Sequence, residues 1–172
     1  WLPWSHVSGA CNQFATLCSG GRFYIDAGRP MPGLFEESLR NIKEIPPSFH
    51  INVPFGYAML ADALEQDAEL RTQFFRNLRL ALYGGAGLPQ ALYERFQRLA
   101  VATIGERIFF TTGYGATETT SGCMSIYFPT EAVGIGLPMP GMTLKLVPNG
   151  PRYEVRVRGQ IVTPGYLSSP EV

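Results

Sequence analysis

Tyr114, Thr117 and Glu118 stand close together in the stretch Thr111-Thr112-Gly113-Tyr114-Gly115-Ala116-Thr117-Glu118-Thr119-Thr120. Between them they offer a flat aromatic face, a hydroxyl and a carboxylate. Gly113 and Gly115 flank the tyrosine, and without a Cβ each leaves the backbone open to close approach. Such a set suits a nucleotide with its metal ion: the ring for a base, bare backbone for phosphates, hard oxygen donors for a divalent cation. The apolar run Arg107 to Phe110 precedes it, so the polar residues are expected where a strand ends and the chain turns. The same residues also fit an ordinary glycine turn with no ligand.

A second stretch has the same design. Leu78 to Tyr83 reads as a strand, Gly84-Gly85-Ala86-Gly87-Leu88-Pro89 as a glycine-rich turn and Gln90 to Thr103 as a helix. Strand, glycine turn and helix start together present backbone N–H groups to a ligand. As a phosphate motif GGAGLP is weak, since it matches neither GxGxxG nor the lysine-bearing phosphate loop. A dinucleotide-binding module would further require an acid about 20 residues past the turn, at the end of the next strand. That strand ends instead in Thr111-Thr112-Gly113, with Glu118 beyond it.

The elements that must position these residues follow from periodicity and punctuation. Trp1 to Gly9 reads as a strand running into a turn, with the lone histidine His6 in a Ser- and Gly-flanked setting, a residue more often structural than catalytic when it stands alone. Ala10 to Ser19 carries Phe14, Leu17 and Cys18 at helical spacing and ends at Gly20-Gly21, and Arg22 to Asp26 alternates as a strand. Leu34, Phe35, Leu39, Ile42 and Ile45 mark a helix stopped by Pro46-Pro47. A strand over Phe49 to Val53 follows, then helical segments from Pro54 with Met59, Leu60, Ala63 and Leu64, then Leu70, Phe74 and Phe75, on the apolar side. Glu69, Arg71 and Arg76 are expected on a solvated face. Val133 to Gly141 is a Gly/Pro loop, and Met142 to Val147 and Tyr153 to Arg158 form a hairpin about the turn Pro148 to Pro151. In that hairpin Glu154, Arg156 and Arg158 share one solvated face.

The succession of strands and helices makes the expected fold class α/β, and the composition suits one globular domain with a core: 172 residues, 45% hydrophobic. Lys plus Arg and Asp plus Glu number 14 each, so no basic field attracts nucleic acid. Three cysteines, Cys11, Cys18 and Cys123, form no CxxC pair, which argues against a disulfide framework or zinc site and for a reducing cytoplasm. No apolar run approaches the roughly 18 residues a membrane span requires.

TTGYGATETT resembles the signature of the adenylate-forming, AMP-binding superfamily of acyl-CoA synthetases, adenylation domains and luciferases. LPWSH at the start, GGAGLP, VGIGLPMPG and GQIVTPGYL resemble further segments of that superfamily, in its order. The family often has proline where Gly87 stands. RFYIDAGRPMPGLFEESLRNIKEI and FHINVPFGYAMLADALE look most like the feruloyl-CoA synthase branch.

The resemblance implies that residues 1–172 are part of the large N-terminal domain, with strand-helix layers and a C-terminal β-hairpin region. A phosphate loop upstream, and a ribose-binding Asp and a small lysine-bearing domain downstream, are expected outside this excerpt. It assigns Gly85, Ala86, Gly87, Gly113, Tyr114, Gly115 and Thr117 to the nucleotide, with Tyr114 stacking on adenine and Thr117 touching phosphate. Glu118 would hold Mg²⁺, and His6, Tyr83, Gly84 and Gly113 would line the acid pocket. Thr117, Glu118 and His6 are the catalytic candidates.

The implied substrates are ATP, a hydroxycinnamate such as ferulate, and coenzyme A, in a protein whose homodimerisation the resemblance allows. A carboxylate displaces pyrophosphate from ATP to give an acyl-adenylate, and the CoA thiol then displaces AMP. Two alternatives stay open: an aryl-acid adenylation domain loading a carrier protein, and a non-catalytic, degenerate binding relative.

Overall fold

A computed structural model describes residues 2–167. Its centre is a parallel β-α-β-α-β arrangement: β1 (Phe49–Asn52), α3 (Pro54–Gln66), α4 (Ala68–Arg76), β2 (Leu80–Tyr83), α5 (Gln90–Ile104) and β3 (Phe109–Tyr114). Before it come α1 (Val7–Cys18) and α2 (Phe35–Glu44). After it come a 3-10 turn (Thr117–Thr119), the two-residue strands β4 (Met124–Ser125) and β5 (Leu137–Pro138), and the hairpin β6 (Thr143–Asn149) and β7 (Arg152–Arg158). The main sheet has the order β1-β2-β3-β4-β5, the first three strands parallel and the last two antiparallel. The mixed α/β class and the C-terminal hairpin expected above are present.

Helix starts and stops have visible causes. Pro54 occupies the first turn of α3, where its missing N–H costs nothing. The stripe that runs on from α3 is interrupted at Asp67, whose carboxylate accepts from the Leu70 amide at 2.9 Å and starts α4 as a separate helix. Gly105, at φ 78°, ends α5 in the left-handed conformation that glycine adopts without strain.

Tyr57, Phe74, Phe75, Phe96 and Phe110 pack into one aromatic core with ring centroids 4.8–6.5 Å apart, mostly edge to face. The Tyr57 hydroxyl lies 3.0 Å from the carbonyls of both His50 and Leu82, so the buried phenol is satisfied while bridging β1 and β2. His50 is different. Its Nε2 is buried without a partner beside Tyr57 and Phe74, and burial pushes the imidazole down to about 4.

Four expectations are corrected. Residues 2–6 form no strand; the chain turns there and enters α1 at Val7. Arg22 to Asp26 alternates but has no strand beside it among the described residues, so it runs as unpaired coil with Phe23, Tyr24 and Ile25 exposed. What fixes it is Asp26, which accepts hydrogen bonds from the Gly28 amide (2.8 Å), Ser38 Oγ (2.5 Å) and Asn41 Nδ2 (3.1 Å). The strand expected to stop near Phe110 continues through Tyr114. It can do so because the hydroxyls of buried Thr111 and Thr112 donate to the Ile126 and Tyr83 carbonyls. Nor is Arg71 merely solvated: its guanidinium donates to the Leu64 carbonyl at 3.0 Å, closing the α3–α4 corner.

Candidate active site

Parallel pairing sets Tyr83 of β2 level with Thr112 of β3, and the Thr112 hydroxyl donates to the Tyr83 carbonyl at 2.9 Å. Both glycine stretches therefore leave the sheet side by side at the carboxyl ends of the strands, the place where open α/β sheets bind ligands. A Cβ built on Gly84 would lie 3.9 Å from the Gly113 carbonyl oxygen, so the two backbones nearly touch. Gly85 has φ 81°, a conformation open to glycine and strained for other residues. Around Gly87 and Gly113 a Cβ would meet nothing within 4 Å, which leaves bare backbone facing open space.

Gly115 has a different reason. A Cβ there would lie 2.4 Å from the Ser121 carbonyl oxygen, so the chain's own return path demands glycine. That path is unusual: Thr120 (φ 51°) and Ser121 (φ 84°) both sit in the left-handed region, which costs a non-glycine residue on the order of 1–3 kcal/mol. Hydrogen bonds hold the turn. Thr119 Oγ1 accepts from the Ala116 amide (2.9 Å) and donates to the Ala116 carbonyl (3.1 Å). The Ser121 amide donates to the Ala116 carbonyl (3.2 Å), and the Cys123 amide to the Tyr114 carbonyl (2.9 Å). Sequence reasoning passed over Thr119, although a buried hydroxyl two residues past Thr117 is a turn-forming signal.

Tyr114 is 42% exposed at the end of β3, with its ring free to meet a planar ligand. Thr117 is exposed and Glu118 half-buried, both on the 3-10 turn. Glu118 Oε1 accepts a hydrogen bond from the Tyr166 hydroxyl. That bond, helped by Glu118's own amide, holds the carboxyl below the usual carboxylate range, and the same contact raises the Tyr166 phenol. Among the described residues no three His, Cys, Asp or Glu side chains come together as a metal cage. A lone carboxylate beside a hydroxyl fits Mg²⁺ that arrives with substrate phosphates, because Mg²⁺ takes few protein ligands and keeps water and phosphate oxygens.

Two further residues expected at the acid pocket, Tyr83 and His6, have structural contacts of their own. The Tyr83 ring is 2% exposed, packed edge to face on Phe110 with its hydroxyl 3.4 Å from the Gly134 carbonyl, so its backbone is what reaches the rim. His6 is the N-cap of α1: its Nδ1 accepts from the Ser8 amide at 3.2 Å and lies 2.7 Å from Ser8 Oγ. Gly84, Gly85 and Ala86 lie on the turn after β2, Gly113 and Tyr114 are the last residues of β3, and Thr117 and Glu118 lie on the 3-10 turn that follows, all at the carboxyl ends of paired strands.

Known proteins share this fold. A solved malonyl-CoA ligase, a ternary product complex with methylmalonyl-CoA and AMP bound, superposes with a TM-score of 0.72 at 29% identity, covering 99% of this chain and 36% of that one. The long-chain-fatty-acid–CoA ligase of Thermus thermophilus is 26% identical over 99% of this chain and 33% of its own length. The inactive atromentin synthetase invA4 of Paxillus involutus is 27% identical over 99% of this chain and 20% of its own. The chain thus spans a third of the length of the first of these two curated relatives and a fifth of the second. With the model of the AMP-binding enzyme family matching residues 1–167 and both glycine turns at the carboxyl ends of parallel strands, the chain belongs to that family.

Proposed function

We propose that the full-length protein activates a carboxylic acid with ATP, as an acyl-adenylate, and passes the acyl group to coenzyme A. The observation that carries this reading is the ligand-open backbone of the Gly84 to Gly87 turn and of Gly113 near the end of the neighbouring strand, beside an exposed tyrosine and the Glu118 carboxylate, one oxygen of which Tyr166 hydrogen-bonds. Tyr114 offers its face to the adenine, Gly85, Ala86 and Gly87 line the nucleotide's path, and the Thr117 hydroxyl donates to a phosphate oxygen. Glu118 holds Mg²⁺, which when bound offsets the charge that develops on the phosphates as the substrate carboxylate attacks. No side chain of this chain need act as a covalent nucleophile.

The acid in this reading is a planar hydroxycinnamate such as ferulate, supported by the likeness of residues 22–45 and 49–65 to that branch. His6 and the backbone of Gly84 and Gly113 belong to its pocket in the same reading. Residues 1–172 are then part of a larger domain, and the lysine-bearing domain is supplied by the rest of the protein. Free thiols at Cys11, Cys18 and Cys123 fit a cytoplasmic setting, and no described helix is long and apolar enough to cross a membrane.

The test separates the half-reactions in the full-length protein. Glu118→Gln, given acid and MgATP, should lose roughly 10²–10³-fold in adenylation rate, as other preorganised charge-stabilising groups do. Given synthetic acyl-adenylate and CoA it should stay near the wild-type rate; equal losses in both assays would remove Glu118 from the metal. A higher kcat/KM for palmitate than for ferulate would defeat the aryl-acid assignment.

A further inference from the structure

The segment after β7 folds back onto the 3-10 turn and grips it at three points. The Thr163 amide donates to the Glu118 carbonyl at 2.8 Å. Thr120 Oγ1 donates to the Ile161 carbonyl at 3.1 Å, tying down one of the two left-handed residues. The Tyr166 hydroxyl donates to Glu118 Oε1. The segment is itself shaped for this: Thr163 Oγ1 donates to the Gly165 carbonyl (3.1 Å) and lies 3.4 Å from the Gly165 amide, and Gly165 has φ 142°. Such a grip is costly to hold unless it serves something, because the turn beneath it is strained and Tyr166 is 48% exposed, with little apolar burial to fix its ring.

We infer that residues 161–166 form a brace for the site and that Tyr166 is a positioning residue, holding one carboxylate oxygen of Glu118 so that the other is presented to the nucleotide-bound metal. This rests on the reading of Glu118 as the metal-holding carboxylate. The physical basis is the one by which outer partners orient metal-binding carboxylates. A glutamate has three freely rotating side-chain bonds, and ordering them at the moment of metal capture costs affinity. A hydrogen bond already made by Tyr166 removes that cost. The hydroxyl is the only atom required, so Tyr166→Phe removes the brace and leaves the ring.

The measurement is the affinity of the full-length protein for Mn²⁺·ATP, read from the electron paramagnetic resonance of free Mn²⁺, together with thermal melting without ligand. Tyr166→Phe is expected to weaken Mn²⁺·ATP by about tenfold, the low end for loss of an outer partner of a metal ligand, with no change in melting temperature. On a Glu118→Gln background the same substitution should add nothing. Retained affinity in Tyr166→Phe, with affinity lost in Glu118→Gln, would overturn the brace and leave Glu118 as the ligand. Retained affinity in Glu118→Gln would overturn the ligand assignment and the brace with it. An equal further loss on the Glu118→Gln background would show that Tyr166 acts elsewhere, and tighter binding in Tyr166→Phe would make it a competitor of the metal; each overturns the inference.

Discussion

Two turns leave the sheet side by side, built from opposite materials. Between β2 and α5 the chain turns on glycines, enters a 15-residue helix through Pro89 with no side-chain cap, and leaves its backbone open. After β3 it manages one 3-10 turn and doubles back through two left-handed residues, pinned by side-chain hydrogen bonds and by residues 161–166. The first turn belongs to the apolar core through Leu88, Tyr93 and Phe96 behind it, so burial holds it in place. The second carries Thr117 and Glu118, the side chains proposed to meet phosphate and metal, and is held by polar contacts. Core packing and backbone strain are thus divided between neighbours, which lets the second turn be strained without endangering the fold.

The sharpest way to break this contrast is the same substitution at both turns. Gly115→Ala drives a methyl into the Ser121 carbonyl and should cost roughly 3 kcal/mol or more in urea unfolding, because backbone must move. Gly87→Ala meets no protein atom and should stay within about 0.5 kcal/mol of wild type. Equal costs would mean that the turns are not built differently.

The core makes its own prediction through pH. His50 is neutral in the folded protein, held down to about 4, whereas the unfolded chain's histidine titrates near 6.5. As pH falls through that window the unfolded state takes up a proton that the folded state refuses, so stability drops, by about 2 kcal/mol at pH 5. His50→Phe keeps an aromatic ring and should flatten the wild-type slope between pH 6.5 and 4. Parallel curves for the two proteins would place the acid sensitivity elsewhere.

The smallest effect concerns the second turn's internal bonds. Thr119→Val keeps the shape and removes the oxygen that serves the Ala116 amide and carbonyl, which should cost about 1 kcal/mol. If this variant binds Mn²⁺·ATP as wild type does, the brace alone sets Glu118; if affinity falls, the turn's own bonds share that work.

Much of the central arrangement was readable in the sequence, because Pro54, Gly105 and the Gly84 to Pro89 run punctuate clean helical and strand periods. The shared position of the two glycine turns was also readable, since repeated strand-turn units in one parallel sheet end on the same side. Arg22 to Asp26 misled because alternation reports a strand's faces and says nothing of whether a partner strand exists. The end of β3 misled because Thr111 and Thr112 look like loop residues until Tyr83 and Ile126 supply acceptors. The Tyr166–Glu118 contact lies 48 residues apart in sequence and depends on the path taken by the β6–β7 hairpin, so no local pattern announces it. Gly115 looked like room for a ligand, and only the fold of Ser121 shows that the chain fills that room itself.

The uncovered strip at Phe23, Tyr24 and Ile25 has a colloidal consequence. With Phe14 and Leu17 of α1 also turned to water, the chain presents apolar surface that carries no packing duty among the described residues. Its formal charge at pH 7 is zero, so no long-range repulsion keeps two copies apart. Handled alone at neutral pH and moderate salt, these 172 residues are expected to associate through that exposed apolar surface, which light scattering would detect. A net charge of either sign, introduced by Phe14→Glu and Tyr24→Glu or by Phe14→Lys and Tyr24→Lys, would keep them dispersed while leaving both glycine turns untouched.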